Sequence, residues 1–330
     1  MFRRFFIPPP EDRDPLRDPS ESRPEPSPAH ASLPDLKSWL GRIHVASPQP
    51  LEPLEIHPLV LDGPVGRPFV MLHRALAERT FWIVERGQGV VNEVMVHNAG
   101  TEPVLVLEGE LIVGSKQNRV VAISAVVAAG EKTALHVGCV EHGRWHHVSP
   151  RFDAGETPLE PGLRRHRVRE VSAMGHLDQQ LLWEQVHMTM RARSVASRSE
   201  DYHESVRAAH QDTVKRSRRI ERLPGQVGIV ALWQGRLVGL DLLSHPAEWE
   251  DIGERILRSY AMTADSLVLD PRLAPQGGGR TAAEWWDAIA SSDLRRLTGD
   301  GRRYALAGPG FHGALLWYDG RPAHLAAFGD

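Results

Sequence analysis

The sequence predicts an α+β protein: an antiparallel β-sheet or sandwich core, then a helical pair, then a hairpin-plus-helix unit. Three observations predict it. Short apolar segments recur between residues 81 and 140, with turn residues between them and no helical period. Residues 176–191 and 197–220 then space their apolar side chains as helices do. Last, Gln234-Gly235 and Asp319-Gly320 each separate two apolar runs, as hairpin turns do. On composition the chain divides into a Pro-rich tail and connector (1–50), a β-rich unit (51–170) and an α+β unit packed on it (171–330).

Residues 1–33 hold almost no apolar residues after Ile7, too few to offset the entropy of ordering them, and are expected to be disordered. Residues 34–43 suit a short helix with Leu36, Trp39 and Leu40 on one side. Residues 56–61 read as an edge strand because of Pro58. Residues 70–78 suit a helix, and 81–85 and 90–97 suit strands before the Asn98-Ala99-Gly100 turn. The continuously apolar run 104–107 predicts a strand covered on both faces. Residues 111–113, 120–128 and 134–140 continue the sheet, and 151–169 read as loop. The first helix of the pair is expected to bury Leu177, Leu181 and Met188 beside Leu182 and Val186, and the second Tyr202, Val206 and Ala209. Residues 246–262 make the clearest helix, with Pro246 in its first turn and Trp249, Ile252, Ile256 and Tyr260 on one face. Thr281 and Glu284 form a capping box that opens another helix. The two hairpins echo one another, each running glycine, apolar strand, tryptophan, glycine turn, arginine, apolar strand.

The chain has 330 residues, a formal net charge of −3 and a pI near 6.6, so no global basic excess points to nucleic acid or an anionic membrane. The basic cluster 215–219 reads as a solvated helix face. One cysteine cannot close an intramolecular disulfide, which favours a reducing compartment. Pro8 breaks the N-terminal apolar patch before a signal peptide core could form, and no apolar run reaches membrane-spanning length. A cytoplasmic protein is expected.

Chemistry concentrates between Pro103 and His147, where two polar knots interrupt an apolar frame. Glu108, Glu110 and Glu141 are the candidate general acids or bases. Strand alternation would set Glu108 and Glu110 on one face, about 7 Å apart. Lys116, Arg119 and Arg144 would hold a phosphate or carboxylate, with Gln117 and Asn118 orienting polar groups, while Trp145 reads as a core residue or as an indole stacking on a base or sugar. The bland alternative has the same cations neutralising the glutamates in a structural network. Cys139 reads as a nucleophile if His142 and Arg144 converge on it, and as a core residue otherwise. His136, Cys139, His142, His146 and His147 lack metal-ligand spacing, so no metal is assigned and the cofactor stays unknown. The sequence has no glycine-rich phosphate loop, nucleophile elbow, zincin motif or dinucleotide fingerprint.

The runs PVLVLEGE, GELIVGSKQNRVV and VGCVEHGRW resemble the ARG and rhodanese-phosphatase-superfamily-associated protein family, over about residues 51–265. ARG denotes ADP-ribosylglycohydrolase. The resemblance implies a role near NAD and ADP-ribose metabolism, and it supplies no catalytic residues. His136, Gly138 and His142 stand where the family pattern has proline, serine and glutamine, which weakens His136 and His142 as metal ligands. The expected function is therefore to bind, and in a stronger form to hydrolyse, an ADP-ribose-like or phosphorylated small molecule such as a nucleotide. Two rivals stay open: a non-catalytic interaction domain with a buried polar network, and a metal-dependent jelly-roll enzyme. Whether the chain is an enzyme is left undecided at this level.

Overall fold

A computed structural model describes residues 33–63, 65–174, 178–297 and 302–330. The tail expected to be disordered lies outside the described residues except for its last position, and so do His176 and Leu177 of the first paired helix. The chain opens with α1 (Leu33–Leu40), β1 (Ile43–Val45), β2 (Gln49–Leu51), β3 (Leu54–Leu61), β4 (Val70–Met71) and α2 (Leu72–Ala77). Strands follow: β5 (Phe81–Val90), β6 (Glu93–Asn98), β7 (Val104–Val106), β8 (Leu111–Gly114), β9 (Arg119–Val121), β10 (Ala125–Val127), β11 (Lys132–Cys139) and β12 (Phe152–Ala154). Then come α3 (Pro161–Met174), α4 (Gln179–Ala192) and α5 (Tyr202–Ser217). The remainder is β13 (Gln226–Trp233), β14 (Arg236–Leu243), α6 (Pro246–Leu269), α7 (Ala282–Ala290), β15 (Leu294–Arg296), β16 (Arg303–Gly308), β17 (Phe311–Tyr318) and β18 (Arg321–Gly329).

The fold is α+β, built on antiparallel sheets. The largest sheet runs β1-β3-β13-β14-β18-β17-β16-β15, with β2 also on β3. A second sheet runs β12-β8-β9-β11-β6-β5. A small third, β10-β7-β4, contains the parallel pair β4–β7. The two echoing hairpins lie side by side in the large sheet through β14 and β18. In both turns the two central residues have φ between +51° and +75°, the left-handed pair that a two-residue hairpin needs.

Helix α6 carries the central core. Its N-cap His245 and Glu248 form a capping box, and Trp249, Ile252, Ile256 and Tyr260 are buried. That face meets Leu54 and Ile56 of β3, Met71, Leu105 and Ile229 in one apolar cluster. The cluster thus joins residues from β2 at one end of the described chain to β18 at the other. Among the described residues, no helix is long and apolar enough to cross a membrane.

Four local expectations change. Strand β3 is interior, flanked by β13 on one side and by β1 and β2 on the other. Pro58 is tolerated there because its carbonyl, and so its missing N–H, faces the gap between β1 and β2, where Ala46 donates to it at 2.8 Å. The β-branched run 120–128 is split: β9 belongs to the second sheet and β10 to the third, with a break at 122–124. The expected loop 151–169 contains β12 and most of α3. In α4 the buried residues are Leu182, Gln185, Val186 and Met190, while Leu181 and Met188 face solvent.

Candidate functional site

The sequence-predicted residues separate into distinct neighbourhoods. The first is a loop knot after β11. Glu141 accepts from Arg144 Nε at 2.8 Å and Nη2 at 2.6 Å, from the Asn118 N–H at 3.0 Å and from Ser199 Oγ at 2.8 Å. Burial alone would raise the Glu141 pKa, but these donors outweigh it and hold the carboxyl below its usual value. Arg144 also donates to the carbonyls of Ser115, His146 and Gly114 and to Asn118 Oδ1. All three of its nitrogens are engaged. Asn118 Nδ2 reaches Asp201 Oδ2 at 2.9 Å, tying the knot to the N-cap of α5. Burial pushes the Asp201 carboxyl up to about 6. Gln117 donates to the His142 carbonyl at 3.4 Å.

Next to it, Arg119 is fully buried and directed inward. It donates to the Val91 carbonyl and pairs with Glu85 at 3.3 Å. Trp145 is half-exposed, with Lys116 Nζ 5.4 Å and the Arg119 guanidinium 5.7 Å from its ring centroid. Cys139 has no exposed surface, and burial pushes its thiol up to about 11, so the nucleophile reading is corrected to a core residue. Gln179 pairs with both Cys139 backbone groups, at 2.7 and 2.9 Å, as a neighbouring strand would. The histidines scatter: His136 lies 3.8 Å from Glu93, His142 3.2 Å from Glu200, and His147 3.4 Å from Ser115 Oγ.

Glu108 and Glu110 do not share a strand face. Gly109, with φ +86°, turns the chain between them. The Glu110 carboxylate accepts the Leu107 N–H at 2.8 Å, and burial raises its pKa. Glu108 instead enters a fully buried hub. Arg164 of α3 donates to Glu108 Oε1 through Nε at 2.8 Å and through Nη2. The same guanidinium pairs with both Asp241 oxygens, at 3.0 and 2.6 Å, and Tyr260 donates to Asp241 at 2.8 Å. Burial would raise the Asp241 pKa, but the Arg164 charge outweighs it and holds the carboxyl far below its usual range. His324 Nε2 lies 3.3 Å from Asp241 Oδ1, and its Nδ1 lies 2.8 Å from Ser124 Oγ. A cavity of about 20 Å³ adjoins Glu108, Ser124 and His324.

The third neighbourhood is an open groove at the surface. Two adjoining parts of about 460 and 370 Å³ share Arg67, Pro68, Phe69 and Glu102. Both fall in the size range of small-molecule sites, roughly 300–1,000 Å³. The Arg321 guanidinium lies over Phe69 at 4.3 Å, and Phe69 meets Tyr318 edge-on at 5.7 Å. Arg321 Nη2 donates to the Arg67 carbonyl, but its buried Nε and Nη1 have no hydrogen-bond partner among the described residues. Gly66 sits above: a Cβ there would come 3.2 Å from Nη1. The walls carry both signs of charge: Arg42, Arg67 and Arg74 line them with Glu102, Asp251 and Asp319, and Arg74 pairs with Asp251 at 3.1 Å.

Sequence reasoning missed Arg164, Asp241, Ser124, His324 and Arg321. Asp241 and His324 carried a signal, since each is a polar residue inside an otherwise apolar strand. Arg164 and Ser124 carried none, because neither the helix nor the strand break was foreseen.

Among the described residues, no group of three or more His, Cys, Asp or Glu is arranged to hold a metal ion. No curated protein and no solved structure matches the chain. Residues 42–328 match the ARG and Rhodanese-Phosphatase-superfamily-associated Protein domain, and the chain belongs to that family.

Proposed function

We propose that the protein binds an anionic, ring-bearing small molecule of the nucleotide or ADP-ribose class in the groove beside Phe69. The observation that carries this reading is Arg321: a guanidinium stacked on an aromatic ring, with two buried donors lacking partners among the described residues, one of them (Nη1) beneath Gly66, where a side chain would crowd it. Buried unpaired donors are rare in folded proteins, and a phosphate or carboxylate oxygen would satisfy them. The half-buried Tyr318 and Trp39 offer ring surface for a base or sugar. The family's name, with its ADP-ribosylglycohydrolase association, supports the same ligand class. In this reading Glu141, Arg144, Asn118 and Arg119 hold the loops, and Arg321 takes the role expected of Arg144.

A thermal-shift screen of ADP-ribose, NAD and nucleotides against the wild type tests the proposal. At least one ligand should raise Tm, and the rise should vanish in Arg321→Ala and shrink in Gly66→Val. The rival reading, a non-catalytic interaction domain, draws on the saturation of the Glu141–Arg144 knot. It would be favoured if no ligand of the panel shifted Tm.

A further inference from the structure

The hub around Asp241 contains a relay that nothing in the proposed ligand site uses. Strand β14 pairs with β18 with Asp241 opposite Ala326, so His324, two residues along, shares its face. Ser124 arrives from the break between β9 and β10. The proton positions in this chain follow from valence. Asp241 receives Arg164 on both oxygens and Tyr260 on one, so it acts as an acceptor. His324 Nε2 must then carry the proton it shares with Asp241. That leaves Nδ1 as a lone pair, and the Ser124 hydroxyl donates to it at 2.8 Å. Ser124 Oγ in turn accepts the Glu108 N–H at 2.8 Å. The order N–H of Glu108, Ser124, His324, Asp241 is thus fixed in one direction, with the serine hydroxyl polarised toward a base.

The relay ends at a cavity. Its inner wall is apolar, from Val168, Leu315 and Ala326, and it opens past the half-buried Ile123 and Arg303. Its volume of about 20 Å³ holds about one water, so only the smallest acyl groups could enter, and they would have to extend into the mouth. Glu108 Oε2, buried and without a hydrogen-bond partner among the described residues, belongs to the residue forming the polar wall.

We propose that Ser124 is a nucleophile toward short-chain acyl esters, with His324 as its base and Asp241 as the positioning residue for His324. Ser124 Oγ forms a bond to the acyl carbon while its proton passes to His324 Nδ1, and the carbonyl electron pair moves to oxygen. Collapse of that oxyanion breaks the ester C–O bond, and the leaving alkoxide takes the proton from His324. A water held against Glu108 Oε2 then attacks the acyl-serine, giving a proton to Nδ1. The acid departs, and Ser124 recovers its hydrogen from His324. This site is independent of the Arg321 groove.

The test uses the full chain with methanesulfonyl fluoride, whose sulfonyl group is of acetyl size, and with p-nitrophenyl acetate. Peptide mapping should place the sulfonyl adduct on Ser124 of the wild type. Acetate hydrolysis should fall about 100-fold in Ser124→Ala and in His324→Gln. Asp241→Asn should lower kcat per mole of folded chain and shift the pH profile of acetate hydrolysis, readouts that loss of fold alone would not move. p-Nitrophenyl octanoate should turn over more slowly than the acetate. A wild-type chain with no adduct at Ser124 overturns the proposal, whether or not the variants fold. So does a folded Ser124→Ala that hydrolyses acetate at the wild-type rate.

Discussion

Arg144 and Arg321 are both partly covered arginines beside an aromatic-bearing surface, yet they stand in opposite states. Arg144 meets a carboxylate, an amide and three carbonyls, and each of its nitrogens has a partner. Arg321 meets one carbonyl and a ring, and two of its nitrogens have none. A saturated guanidinium can accept no further anion without giving up a bond it already makes. An unsaturated one lowers its energy by finding one. Residue type therefore does not separate a lock from a binding group in this fold; unoccupied donors beside an open groove do, since Arg167 also has two nitrogens unpaired among the described residues but lies in the core.

The largest expected effect lies in a fully buried arginine. Arg164 neutralises Glu108 and Asp241 in the core, so Arg164→Met leaves two uncompensated carboxylates. Such a loss costs about 3–5 kcal/mol. Urea denaturation should show it, and a change below about 1 kcal/mol would break the idea that saturated arginines hold this fold.

Why some of this was legible in the sequence and some was not follows from where the signals lie. The hairpins at Gln234-Gly235 and Asp319-Gly320, the capping boxes at His245 and Thr281 and the buried stripe of α6 rest on residues a few positions apart. Of these, the His245 cap escaped because histidine is not an ordinary capping residue. Helix α3 was missed because Arg164 and Arg167 lie on its buried side, leaving no clean apolar period. Arg167 shows how unusual that side is, for burial pulls its guanidinium down to about 10. The split of 120–128 between two sheets is invisible in a uniform β-branched run. Residues 108–145 hold buried polar chemistry, but their partners Arg164, Asp201, Asp241 and His324 come from distant parts of the chain, and none of residues 108–145 lines the Arg321 groove.

A smaller effect sharpens the contrast at the knot. Arg144→Ala removes the charged partner of a buried Glu141 and should cost about 2–3 kcal/mol in urea denaturation. Ligand-induced shifts in Tm should persist.

At the groove, Glu248 accepts the Phe69 N–H at 2.8 Å, and burial pushes its carboxyl up to about 7. An unfolded chain releases that proton at lower pH, so the native state binds more protons between the two values and loses stability as pH rises through them. Glu248→Gln carries no such group. Its stability relative to wild type should rise by about 3 kcal/mol between pH 4.5 and 7.5, followed by denaturation at each pH. A difference that stays constant across this range would show that Glu248 is not protonated in the native state.

The most direct measurement is a calorimetric titration of ADP-ribose into wild type, Arg321→Ala and Arg144→Ala side by side. The account predicts that Arg321→Ala weakens binding about tenfold or more, the worth of a charge-assisted hydrogen bond, while Arg144→Ala leaves Kd within about twofold. Binding that is lost in Arg144→Ala and kept in Arg321→Ala would contradict it.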